Sequence, residues 1–589
     1  MNSLTVDDIN ESQYKGVNTG KYMAYTSLSM SSSIPVEIDI DRVIVVPDFE
    51  TKIRKTVEYI DNQTLKSEIT EMDVPVNHCD GAGMFLPNVL DKSCQIRCRW
   101  IKGAIFPFDF KGFAFDVAES VNVTDVYSDS HDIVEENIEV ILTASQVKMW
   151  KYYKDWKSFK EAFRENKLKF SITNEARQPK VKTELTYQFL QTLDLKDENI
   201  KLLCKDTVEK IKKMHNDSQE MLFALGVAEN NENMLPLQEA LTLYPELLQD
   251  IHVKKQIQKV VNSYRRNAMG GRILAYGFYA YLCPDLYAFC QKIFQGIEQP
   301  EGLIPDGYVY SSYYDDKKIY KCDLLRSPHL YNEHCVRKFI KTKDCKEWFI
   351  GTDTIISSHD LTLLTLMADE DGDTAMVCTT KPILNSIRKS VPLYYKMFTA
   401  EPQQINTQNI YESLVKGFES NCIGDISNAI TKAWNVDGEP DYDLIKKLQM
   451  YNNFTIDFPK TGMNIKLDDS TKVKYDKLKG QANPYFFKYA KDKNKTQPMN
   501  DSVVNKICKY VKKSTNNLKY EAFKEDQGRS FEYAVLTSNT KSVRRDTIRY
   551  EKLQQELFKW EEKLQSLTKK LKEVKDEDEC APSCIPSDT

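Results

Sequence analysis

Residues 36–46, VEIDIDRVIVV, alternate apolar and polar positions and then become a β-branched run. That predicts a strand half-buried at its start and buried at its end. CQIRCRW (94–100) and GAIFPFDF (103–110) continue the style with Gly and Pro punctuation, so residues 22–132 are expected to be strand-rich. Over 133–262 the period changes. KDWKSFKEAFRENKL (154–168) and DTVEKIKKMHNDSQEMLFALGV (206–227) carry apolar residues at three- and four-residue spacing, which predicts helices. Strands return over 263–400 in GRILAYGFYAYL, GYVYSSYY, KIYKCDLL and TAMVCTT. Residues 401–548 read as mixed and lysine-rich. Over 549–579, Leu553, Leu557, Trp560, Leu564, Leu567, Leu571 and Val574 recur at alternating spacings of four and three. This is an a/d seam, read either as a coiled coil or as a long helix packed on the protein's own body. The tail 580–589 reads as disordered. Two separated β regions with similar features suggest two copies of one barrel-like module.

Composition narrows the class. The chain has 589 residues, 41% hydrophobic and 28% charged, which fits two to four globular domains. No apolar run is long enough for a transmembrane helix, and MNSLTVDDINESQYKG lacks a signal segment, so a cytoplasmic protein with no membrane partner is expected. Fourteen cysteines in so long a chain are then expected to be thiols. The net charge of −5 excludes a uniformly basic nucleic-acid coat but not a basic channel.

Chemistry concentrates in LMADEDGDTAMV (366–377), which places Asp369, Glu370, Asp371 and Asp373 between apolar runs. In an extended segment Asp369, Asp371 and Asp373 point to one side and Glu370 to the other. Three close like charges repel unless neutralised, and a hard divalent cation prefers carboxylate oxygens. Gly372 permits the tight backbone turn that would bring them together. A polar hairpin turn is the competing reading.

Other motifs are weaker. An EF-hand fails, because counting from Asp369 puts Gly372 at position four and Thr380 at position twelve. CQIRC and CAPSC have no matching second cysteine pair, and His329 and His334 in HLYNEH are not in the HExxH arrangement, so zinc is poorly signalled. No GxxxxGK[ST] phosphate loop occurs. Arg97, Arg99 and Lys102 flank Trp100, and Arg265, Arg266, Arg272, Arg326 and Lys460 recur near apolar segments. Singly each reads as a surface charge; beside a carboxylate trio they suggest phosphate handling.

CDLLRSPHLYNEH (322–334) followed by SSHDLTLLTLMADEDGDTAMV (357–377) resembles the catalytic barrel of the two-barrel RNA polymerases. These include the largest subunit of cellular RNA polymerase, the eukaryotic RNA-silencing polymerases and single-chain phage polymerases of the YonO type. The signature is R-x-P (Arg326-Ser327-Pro328), a spacer, then D-x-D-G-D (Asp369 to Asp373). HCDGAGMFLP (78–87) with SCQIRCRWIKGAIFPFD (93–109) is similar to the first barrel of the silencing enzymes, where D-G-x-G precedes Q-x-R and K-G. CIGDISN (422–428) and NNFTIDFPKTG (452–462) follow in the same order as in that family.

The resemblance, over roughly residues 22–465, implies an α+β chain. Two double-psi β-barrels would be joined by helical segments, with a clamp or channel region at 401–548 and the long C-terminal helix beyond. Asp369, Asp371 and Asp373 would hold catalytic Mg²⁺, with Mn²⁺ as the alternative. Lys102 would contact the triphosphate or the RNA end, Arg326 the nucleotide's sugar, and Arg97 and Lys460 nucleic acid or nucleotide. The implied activity is template-directed addition of ribonucleoside triphosphates to an RNA 3′ end. The implied partners are a nucleic-acid template and the RNA product; the resemblance does not reach the C-terminal seam, whose heptad spacing by itself suggests self-association. A DNA template is favoured narrowly; an RNA template, a non-catalytic nucleic-acid-binding barrel and a metal nuclease are the alternatives. Two departures stand out. The Asn that precedes the acidic motif in cellular enzymes and helps read the ribose is absent, its neighbourhood being Met367-Ala368. Of the two first-barrel lysines those enzymes carry, only Lys102 is placed.

Overall fold

The computed structural model describes residues 4–228, 231–419, 422–523, 531–532 and 543–578. The chain divides into two compact units, residues 1–207 with 266–514, and residues 208–265 with 515–589. Among the described residues no helix is long and apolar enough to cross a membrane. The described cysteines are free thiols, and all but Cys422 are buried.

The first unit is a mixed α+β structure built on two large sheets. One is seven-stranded, in the order Ile34–Val36, Phe170–Glu175, Cys94–Cys98, Ile101–Pro107, Ala82–Phe85, Val140–Thr143, Val43–Val46. Val43 to Val46 are all buried, as the β-branched run predicts. Val140–Thr143 and Phe170–Glu175 belong to this sheet although they fall where the sequence predicts a helical connector. A four-residue apolar run such as VILT carries too little periodicity to separate strand from helix. Between them, Trp156–Glu165 is helical as expected. Asp155 caps it by accepting from Ser158 N, and Trp156, Phe159 and Phe163 pack into the core shared with this sheet.

The other sheet contains a closed barrel of six strands. Leu274–Cys283 pairs with Thr354–Ile356, then Tyr308–Tyr310, Cys335–Phe339, Lys321–Leu325 and Thr374–Cys378, which pairs back onto Leu274–Cys283. Closure removes free strand edges and fixes the ends of each strand. The first sheet shows no corresponding closing pair among the described residues. A long antiparallel hairpin, Phe49–Ile60 with Ser67–His78, packs Ile53, Val57, Val74 and Val76 into the same core as the barrel's Phe278, Leu282 and Val377.

Downstream, the expected mixed region is helical among its described residues, apart from isolated bridges: Thr407–Glu419, Ile423–Trp434, Tyr442–Thr461, Asp469–Gly480 and Val503–Ser514 are the longer elements. Val503–Ser514 buries one stripe, Val504, Ile507, Cys508 and Val511, whereas Lys432 of Ile423–Trp434 is buried and donates to Leu478 O, Lys479 O and Gln481 O.

In the second unit a helix spans Val543–Asp578. Tyr550 Oη and Gln554 Nε2 donate to Asp250 Oδ2 at 2.6 and 2.9 Å, and Glu561 pairs with Lys255. The helix is thus docked on its own unit through polar contacts. The apolar seam is not: Leu553, Leu557, Trp560, Leu564 and Leu567 are each more than half exposed. The side chains of Leu571 and Val574, and the tail 580–589 with the CAPSC cysteines, lie outside the described residues.

Candidate active site

The acids stand at the entrance to the last barrel strand. The short helix Thr362–Leu366 ends at Met367, whose φ of +49° is left-handed. Residues 368–373 then turn into Thr374–Cys378. Asp373 O accepts from Leu282 N at 3.0 Å, and Asp373 Oδ2 accepts from Asp369 N at 3.0 Å, so the loop is tied to the barrel and to itself.

Its other side is gripped by the seven-stranded sheet. Glu370 is fully buried, donates through its N–H to Asp80 O, and accepts from Cys79 N through its carboxylate. Burial drives its carboxyl well above the ordinary range, opposed by the hydrogen bond it accepts from Cys79 N. Gly81 has φ +78°, and a Cβ there would stand 2.4 Å from Asp371 Cβ. Gly372 has φ +114°, and a Cβ there would collide with the Gln95 amide. The D-G-x-G and Q-x-R elements are therefore the surface on which the acidic loop is moulded.

Three of the basic residues singled out by sequence meet this loop. Lys102, on Ile101–Pro107, forms an ion pair with Asp371. Arg326, just past Lys321–Leu325, places Nε 2.8 Å from Asp373 Oδ2 and donates from Nη1 to Met367 O at 2.6 Å. Arg97 is the strand partner of Lys102; burial lowers its pKa, and the charge of Asp371 opposes the shift. Lys460 stands apart near the end of Tyr442–Thr461, paired with Asp457, on the rim of a cleft of about 480 Å³ that Asp369, Arg326 and Asp80 also line.

Two further charged residues had no role assigned from the sequence, Lys148 and Asp80, the latter read only as the first residue of D-G-x-G. Asp80 is raised by burial, with Lys148 opposing and Asp48 and Asp371 reinforcing. Lys148 is lowered by burial, with Asp80 opposing. Only the fold brings Lys148 here, because QVKMW has no motif to mark it. Burial pushes Asp369 up to about 6, reinforced by Asp80, Asp371 and Asp373 and opposed by Arg326. Negative charge at Asp369 thus outweighs what Arg326 supplies.

Among the described residues no three His, Cys, Asp or Glu side chains stand as a preformed metal cage. Asp371 and Asp373 are turned to Lys102 and Arg326 instead. The donor set nevertheless fits a hard divalent cation: carboxylate oxygens on one loop, with a deficit of positive charge at Asp369. His329 and His334 form a separate buried network. Thr192 Oγ1 lies 3.1 Å from His329 Nε2 and 2.9 Å from His334 Nε2, and His334 Nδ1 lies 2.7 Å from Asp323.

No family model matches the chain. The DNA-directed RNA polymerase YonO of Bacillus phage SPbeta is 41% identical over 545 residues, 91% of this chain and 63% of that protein. The chain therefore spans less than two thirds of that relative's length. Among solved structures, the RNA dependent RNA polymerase QDE-1 from Thielavia terrestris aligns with a TM-score of 0.54 at 14% identity, over 86% of this chain and 56% of that one. At that identity the likeness concerns the fold.

Proposed function

We propose that the chain is a template-directed RNA polymerase of the two-barrel family, with the seven-stranded sheet and the closed barrel as its two modules. The observation that carries this reading is the clasped loop: three aspartates set by the barrel, moulded on Gly81 and Gln95, and faced by Lys102 and Arg326. Asp369, Asp371 and Asp373 would hold Mg²⁺, or Mn²⁺ in its place. Such an ion lowers the pKa of an RNA 3′-hydroxyl and offsets charge on the α-phosphate. The chain's own residues position and neutralise. Lys102 exchanges Asp371 for phosphate oxygens, with Lys148 and Arg97 behind it. Arg326 holds Asp373 and the Met367 carbonyl and so fixes the loop beside the nucleotide. Lys460 meets the nucleic-acid backbone at the rim.

A non-catalytic barrel gives no account of mutually repelling acids packed this closely, and a nuclease would shorten RNA where a polymerase lengthens it. The relative's description supports a DNA template, and the fold likeness keeps RNA as the second reading. Extension of a labelled RNA primer on single-stranded DNA, duplex DNA and RNA templates decides between them. DNA-directed extension is expected; shortening of the primer would overturn the reading. The cytoplasm is the setting that supplies these substrates.

Lys102→Ala is expected to lower nucleotide addition at least about tenfold, or about 1.4 kcal/mol of transition-state stabilisation. Single-turnover kinetics at saturating template measures it; an unchanged rate would remove Lys102 from the site. The exposed seam on Val543–Asp578 is proposed as a self-association surface. The chain ended at residue 548 is expected to stay soluble and extend short templates while losing self-association by light scattering. Inactive or aggregated protein would show that the helix supports the core.

A further inference from the structure

Met367 and Ala368 stand directly before the acidic motif. The fold brings amides to that place from elsewhere. Gln449 and Asn453 lie one turn apart on one face of Tyr442–Thr461. The side-chain nitrogens of both abut Met367 Sδ. Tyr395 Oη completes the group, donating toward Gln449 Oε1 at 3.4 Å and accepting from Asn453 Nδ2 at 2.6 Å. Gln449 is 1% exposed, whereas Asn453 is only half-buried, and both line the cleft shared by Asp369 and Arg326.

Tyr395 pairs with both amides, and their nitrogens otherwise face only a thioether, a weak acceptor, so each keeps capacity for a further polar partner. Groups so placed suit a polar ligand better than they suit Met367. The kind of ligand follows from position. Met367 is two residues before Asp369, and the amides line the same cleft as Asp369 and Arg326. Arg326 already serves Asp373 and the Met367 carbonyl. A neutral amide both donates and accepts, which matches a hydroxyl; Lys460 at the rim matches phosphate instead.

Resting on the polymerase reading, we infer that Asn453, backed by Gln449 and Tyr395, reads the 2′-hydroxyl of the incoming nucleotide. Asn453 is thus a specificity-determining residue, supplied from the helix Tyr442–Thr461 and not from the acidic motif itself. A 2′-deoxy nucleotide would leave the amide without its partner, and sites that bind a hydroxyl reject analogues lacking it for this reason.

The test compares single additions of a ribonucleotide, its 2′-deoxy analogue and its 3′-deoxy analogue by the wild type and by Asn453→Ala. Ribonucleotide addition is expected to fall more than 2′-deoxy addition, lowering the preference about tenfold, about 1.4 kcal/mol. The change is expected chiefly in KM. The 3′-deoxy analogue keeps the 2′-hydroxyl and should follow the ribonucleotide. Asn453→Leu, nearer in volume, carries the same expectation should the alanine variant not fold, and Asn453→Gln should recover part of the preference. Variants that extend RNA with the wild-type preference would overturn this inference alone. A wild type that extends nothing would overturn the polymerase reading beneath it.

Discussion

Asp371→Ala is expected to abolish RNA synthesis, lowering single-turnover addition by at least about a thousandfold, or about 4 kcal/mol. Asp371 is the middle acid of the loop and the one in direct contact with Lys102. Removing it takes away an oxygen donor of the proposed ion site and the partner that orients the lysine. The fold should tolerate the change. Asp371 raises the pKa of both Asp369 and Asp80, so its loss relieves repulsion. Lys102 is about one third exposed and can turn to solvent, which keeps the cost of its lost ion pair small. The melting temperature is therefore expected not to fall. Near-normal addition in Mg²⁺ by this variant would remove the acidic loop from the chemistry.

Gly81→Ala is the second large effect, and it acts from the other sheet. At φ +78° an alanine pays about 1 kcal/mol of backbone strain. The larger consequence is steric: the new Cβ would lie 2.4 Å from Asp371 Cβ and 3.0 Å from its Cα. A backbone atom cannot rotate away, so the acidic loop must move. A displacement near 1 Å at a reacting centre costs on the order of a hundredfold in rate. Gly307 provides the control. It has the same φ, +78°, and nothing within 4 Å of its added Cβ. Gly307→Ala should share the strain and keep the activity. Equal losses in the two variants, or none in either, would show that Gly81 does not shape the site.

The sequence made the acidic loop legible because the three acids are close in the chain and alternate. The extended segment expected there is instead a turn over residues 370–372, the competing reading, although Glu370 does lie apart from the aspartates, buried against Cys79 and Asp80. That it anchors one sheet to the other was not readable, since a buried acid looks like any other acid in a string. Asp80 and Lys148 meet the site from separate loops of the first module, and no spacing rule links them to Asp371. The strands Val140–Thr143 and Phe170–Glu175 were hidden by their shortness. Gln449 and Asn453 were hidden differently. Polar positions on a helix face read as surface until the fold turns that face toward Met367.

Whether the aspartates hold the catalytic ion is measured most directly by anomalous diffraction from the full chain crystallised with Mn²⁺, an RNA primer on a template and a non-reactive nucleotide. The expected result is one strong peak within about 2.2 Å of an oxygen of each of Asp369, Asp371 and Asp373. Lys102 should then have moved from Asp371 to a phosphate. A peak elsewhere, with Lys102 and Arg326 still on the carboxylates, would contradict it.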